Sequence, residues 1–214
     1  MKKLSKISLL FAIFCVFLTS AQAHYLWLER ENQTLRFYFG EWHKDLFETT
    51  GGRLDNFQAD VVVPEGVTTG SERKADHVAI SLKKAGDVGI VEAMAPRKSR
   101  LSDEVTRSIL LGRAGRSEAS ALLPLDLVPA QPHSSQFTLV FDGAPVPNAK
   151  ITVYTPAKEE FELATDGAGG ITIDTSKAGQ YLVLASHFDE TGGELDGVRY
   201  DKTRYALTLS FRAD

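Results

Sequence analysis

The sequence predicts an all-β protein made of two β-sandwich blocks of the immunoglobulin or prealbumin kind, with a short helical insert between them. Three observations carry this. Runs such as Gln136-Phe-Thr-Leu-Val-Phe141 and Lys150-Ile-Thr-Val-Tyr154 alternate apolar and polar residues with the period of a strand. Turn-forming clusters such as Asp142-Gly143 and Thr165-Asp-Gly-Ala-Gly-Gly170 separate them. A helical pattern is confined to one stretch near residues 103–111. Composition narrows the class further. With 43% hydrophobic residues and charges of both signs, disorder is excluded. A single cysteine excludes a disulfide scaffold. There are 24 Lys+Arg against 28 Asp+Glu, with no basic run after the first residues, which argues against nucleic acid as a partner.

Residues 1–23 read as a cleaved signal peptide. Lys2, Lys3 and Lys6 form a positive start, Leu9 to Leu18 a short apolar core, and Ala21-Gln22-Ala23 the small-x-small pattern of a cleavage site. Cys15 would leave with it. Removing the three lysines leaves 21 basic against 28 acidic residues, so the expected exported form is acidic and periplasmic. Its first residue would be His24.

Residues 24–131 are expected to form the first β-domain. His24 to Glu29 and Leu35 to Phe39 read as a hairpin around Glu31-Asn32-Gln33. A register pairing Glu29 with Thr34 would set His24 opposite Phe39, and a bend at Gly40 would return His43 to the same end of the sheet. Further strands are expected at 59–63, 77–83 and 88–95. Ser102-Asp103-Glu104 ahead of Val105, Ile109 and Leu110 reads as a capped short helix with Arg113 past its end. Leu125 to Val128 reads as an extended connection to a boundary near Pro132. Residues 132–214 then supply six short strands with Gly-rich turns, a second sandwich.

Three segments of that second block carry a family resemblance: Phe141-Asp-Gly-Ala-Pro-Val-Pro-Asn-Ala-Lys-Ile-Thr-Val-Tyr154, Thr165-Asp-Gly-Ala-Gly-Gly-Ile171, and Ala185-Ser-His-Phe-Asp-Glu-Thr191 with Tyr200-Asp-Lys-Thr-Arg-Tyr205. Together with Ala23-His-Tyr-Leu-Trp-Leu-Glu29 and the stretch from Ser108 to Leu127, they resemble a periplasmic family labelled NikM-like, associated with nickel and cobalt uptake. The resemblance implies a periplasmic metal-associated binding protein working beside a membrane metal-uptake system.

The candidate ligands are histidines. An N-terminal His24 would offer its α-amine and imidazole to one ion, and a second imidazole would complete a T-shaped set of three nitrogens suited to copper. His43 reaches that end of the sheet by hairpin geometry, and His187 is supported by the resemblance. Asp189 and Glu190, two and three residues on, are candidates to orient a ligating ring. His77 beside Asp76 reads as an edge residue, and His133 as part of the connection. The expected cofactor is a divalent transition metal, nickel, cobalt or copper. No nucleophile elbow, phosphate loop or His-Glu-x-x-His is present, so the reading is of a binding protein and not an enzyme. Two alternatives stand beside it. One is a structural or carbohydrate-binding sandwich without metal. The other is a histidine-brace copper oxygenase, which would need Tyr25, Trp27, Tyr38 and Trp42 on a flat exposed face.

Overall fold

The computed structural model describes residues 24–214 apart from Asp60 and Leu101. The expected signal peptide, with Cys15, lies outside the described residues.

The first strands form around a turn tighter than the sequence suggests. Asn32 adopts φ +54, a left-handed conformation that Asn tolerates, so two residues suffice to reverse the chain. Tyr25–Glu31 then pairs with Thr34–Glu41 so that Glu31 faces Thr34 and Leu26 faces Phe39. The expected register, Glu29 with Thr34, is corrected by two residues. An even shift keeps every side chain on its face, but moves His24 along to the level of Glu41.

These strands open a five-stranded sheet, continued by Val78–Leu82 and Thr68–Arg73, with Leu46–Phe47 on the Thr34–Glu41 strand. An eight-stranded sheet lies behind it. Its order is Glu160–Ala164, Lys150–Tyr154, Gly179–Asp189, Lys202–Ala213, Val105–Ala114, Val88–Ala93 and Val61–Val63, with Arg97–Lys98 attached to Val105–Ala114. A four-stranded sheet of Leu125–Pro129, Gln136–Phe141, Ala144–Pro145 and Gly170–Thr172 covers the far side.

Alternation along the central strands reveals three layers. Ile109 and Leu111 point into a core with Leu127, Phe137 and Leu139 of the four-stranded sheet. Leu110 and Ala114 point the other way, to Leu26, Leu28, Phe37 and Ile80 of the five-stranded sheet. Val183 and Leu182 divide in the same manner, the latter meeting Trp27, Tyr38 and Trp42. A strand buried on both faces needs apolar residues at every position, which accounts for the unbroken run Tyr181-Leu-Val-Leu-Ala185.

The expected helix near 103–111 is corrected. Val105–Ala114 is a ten-residue central strand, parallel to Lys202–Ala213. Its Val105, Thr106 and Ile109 are β-branched and favour strand, and burial on both faces overrides the weak helical spacing. Gly112 is required by the packing, since a Cβ there would stand 2.5 Å from Leu26 Cδ1. Arg113, expected to close a helix, is fully buried.

The expected boundary near Pro132 falls in the turn between Leu125–Pro129 and Gln136–Phe141, which pair with each other. The eight-stranded sheet takes strands from both sides of that point. A chain cut to residues 132–214 would therefore bare the edge of Lys202–Ala213 and lose Leu125 and Leu127 from its core. It is expected to associate and to melt without a cooperative transition, by size-exclusion chromatography and circular dichroism. A monomer with a sharp melt would show that the second block folds alone.

Candidate metal centre

His24 sits just ahead of the first strand, and the strand register and the turn after the second strand bring it two carboxylates. The corrected register puts Glu41 beside it, with His24 Nδ1 3.5 Å from Glu41 Oε1. The chain then turns through Trp42–Lys44, with Asp45 left-handed at φ 55, and returns as Leu46–Phe47. Gly40 allows that return, because a Cβ would collide with the Leu46 carbonyl oxygen. The backbone N–H of Glu48 donates to the Phe39 carbonyl at 2.9 Å, which fixes the second carboxylate. His24 Nε2 lies 2.7 Å from Glu48 Oε1.

The two ring nitrogens thus have different roles. Nε2 faces the Glu48 carboxylate at 2.7 Å. Arg53 Nη1, at 3.4 Å from Nε2 and 3.6 Å from Glu48 Oε1, is then the carboxylate's ion-pair partner. Nδ1 faces Glu41, and it can ligate once it carries no proton. Glu41 is 6% exposed, so the charge is held largely away from water. Lys44 Nζ approaches its other oxygen at 2.7 Å, as an ion pair out of hydrogen-bond alignment. Ligands about 2.1 Å from one ion stand about 3.0–3.4 Å apart across right-angled to tetrahedral geometry. The Nδ1–Oε1 gap is close to that span.

His43 is placed differently. Tyr25 and His24 are neighbours on one strand and point to opposite faces. The Tyr25 hydroxyl is hydrogen-bonded to His43 Nδ1 at 3.1 Å. The His43 ring stacks on Tyr154 at 4.4 Å between centroids, and its Nε2 is buried without a hydrogen-bond partner. Burial, followed by the charge of Lys44, holds the His43 pKa below the usual imidazole value. Burial likewise pushes the Tyr25 and Tyr154 hydroxyls well up, so both stay protonated. The Nδ1 of His43 is therefore engaged by the Tyr25 hydroxyl.

His187 belongs to the far side of the molecule. It shares parity with Tyr181, Val183 and Ala185, which face the four-stranded sheet, and its ring packs on Phe141 at 4.4 Å. The Asp189 carboxylate accepts from the Thr191 backbone N–H at 2.9 Å, and that bond holds its pKa below the usual range. It serves the turn, and Glu190 is exposed beside it. His77 Nδ1 meets Asp76 at 2.7 Å. His133 is left-handed at φ 64, and its carbonyl accepts from Arg116.

The described geometry thus places the rings of His24, His43 and His187 in three separate environments. Among the described residues, no group of three His, Cys, Asp or Glu side chains is arranged to hold a metal ion. Glu41 and Glu48 escaped the sequence reading. The signal that could have found them is Asn32-Gln33 as a two-residue turn, which sets the register. Trp27, Tyr38 and Trp42 are buried in a core of their own and present no flat aromatic face. No helix among the described residues is long and apolar enough to cross a membrane. In comparisons with known proteins, the chain matches no family model, no curated protein and no solved structure.

Proposed function

We propose that this is a periplasmic transition-metal-binding protein that takes up a divalent ion at His24 for capture or delivery to an uptake system, without chemical turnover. The observation that supports the reading is the approach of His24 Nδ1 to the buried Glu41 carboxylate, 3.5 Å away. If export leaves His24 first, its α-amine joins Nδ1 in a chelate and Glu41 supplies a third donor. Glu48 holds the ring by its other nitrogen, the arrangement that orients ligating histidines elsewhere. Two nitrogens and a carboxylate suit Cu(II) and Ni(II), which favour tetragonal N,O sites, ahead of Co(II). His43 and His187 then have packing roles.

The test is calorimetric titration of the protein starting at His24 with Cu(II), Ni(II) and Co(II). One extra residue ahead of His24 blocks the amine and is expected to weaken binding while every side chain remains. Glu41→Gln should weaken it as well, and Glu48→Gln by about 10–100-fold through loss of ring orientation. His187→Ala and His133→Ala should leave affinity unchanged. Affinity should fall with pH, since amine and imidazole must shed their protons to ligate. Equal binding by the native-start and extended forms would remove the His24 amine from the site, and no binding by either would end the metal reading in favour of a metal-free binding sandwich.

A further inference from the structure

We infer that the cleft between the first strand and the central sheet binds a small organic carboxylate, held by Arg204. The cleft has a volume of about 210 Å³ and is bounded by His24 and Tyr25 on one side and by Arg204 on the central sheet. This goes beyond the metal reading, because nothing in it requires a metal ion.

The argument starts from the position of Arg204. It lies on Lys202–Ala213, an interior strand, opposite Phe188 on one neighbour and Ser108 on the other. Arg204 alternates into the same cleft as Ala206 and Thr208, on the face that the five-stranded sheet covers only as far as its end at His24. The guanidinium is partly buried. Among the described residues it has no hydrogen-bond, ion-pair or ring partner. Burial alone acts on its pKa, pulling it down, with no carboxylate near enough to offset that.

A desolvated cation without a partner is costly, and guanidinium groups at such positions are ordinarily matched to a carboxylate or phosphate. Arg113 shows the contrast: fully buried, it binds two carboxylates. The rest of the cleft lining selects the ligand class. Leu26, Leu110 and Leu184 are apolar, and Thr152, Ser186 and Thr208 contribute hydroxyls. A mostly apolar pocket with a few convergent polar groups and one fixed cation suits an anion with a carbon skeleton better than an inorganic oxyanion. Lys150 also lines the cleft, but it is exposed and already paired with Glu162, so it contributes less. An anion seated there would have the guanidinium on one side and His24 on another.

The test uses the metal-free protein beginning at His24, titrated with acetate, malonate and citrate, and with inorganic phosphate as the carbon-free control. At least one carboxylate is expected to bind and to raise the melting temperature. Arg204→Gln should weaken that binding by about tenfold or more, the loss of a charge-assisted pair, and Lys150→Gln by less. Arg204→Met is expected to melt higher than the wild type without ligand, since an unpaired charge leaves the interior. The inference is overturned if no carboxylate binds, if Arg204→Gln binds as tightly as the wild type, or if phosphate binds in preference. Arg204→Met melting lower than the wild type would also overturn it, assigning the residue a purely structural role. Extending the chain ahead of His24 separates the two readings, because it should weaken metal binding and leave carboxylate binding in place.

Discussion

Arg113→Ala is expected to destabilise the protein by about 3–5 kcal/mol, the usual result of removing one partner from a buried ion pair. Arg113 is 0% exposed and bridges the molecule. Its Nη2 donates to Asp87 at 2.6 Å and its Nη1 to Asp126 at 2.8 Å. It also donates to the carbonyls of Ser120 and Glu118 at 3.2 and 2.6 Å. The carboxylates have further duties: Asp87 accepts from the backbone of Ser117 and Glu118, and Asp126 from that of Leu122. The network therefore holds the 116–122 segment against the strands on either side. Replacing all three charged groups by apolar residues should not restore stability, because those backbone N–H groups would remain buried without acceptors.

The loss should also depend on pH. Burial already pushes the Asp126 carboxyl up, against the pull of Arg113. Without Arg113 that tendency grows. A carboxyl whose folded pKa is raised favours the folded state when protonated, so the deficit of the variant should shrink as pH falls. Urea unfolding at neutral and mildly acidic pH measures both effects. A deficit under about 1 kcal/mol, or one that grows on acidification, would remove Arg113 from this role.

Trp27→Ala should cost about as much, roughly 3–5 kcal/mol, by opening a cavity in the aromatic core. The indole is 0% exposed. It stacks on Tyr38 at 5.1 Å, meets Phe47 at 5.5 Å and Tyr25 at 5.9 Å, and its Nε1–H donates to Glu29 at 3.1 Å. The effect should spread to the His24 end of the sheet, since Trp27 backs Tyr25, and Tyr25 holds His43. The variant retains one tryptophan of two, Trp42, whose fluorescence reports on the same cluster during unfolding. Trp27→Phe should recover most of the loss. If Trp27→Ala unfolds within about 1 kcal/mol of the wild type, this core is not what secures the first sheet.

Much of the fold is legible locally. Gln136–Phe141 and Lys150–Tyr154 form the strands that their alternation predicts, because propensity, turn residues and burial agree there, and Glu160–Ala164 forms its strand as an exposed edge. Thr68–Arg73 was missed: an edge strand with mostly exposed side chains needs no apolar pattern. Val105–Ala114 was misread as helix because a strand buried on both faces loses its alternation, and three apolar residues then fit either period.

The site divides along the same line. That His24 heads the first strand, and that its ring and amine could chelate together, follows from residue order. Which groups meet the ring does not. A two-residue turn at Asn32-Gln33 moved the register, the return at Leu46–Phe47 brought Glu48, and strand parity sent His187 to the opposite face of the central sheet. Alternation within a strand is a local property, so the sequence by itself determined the all-β class and the inward faces of most strands. Register and layer order depend on contacts between residues far apart in the chain, so only the tertiary structure decided that one sheet serves both blocks, that Arg113 is buried between two carboxylates, and that Arg204 faces a cleft without one.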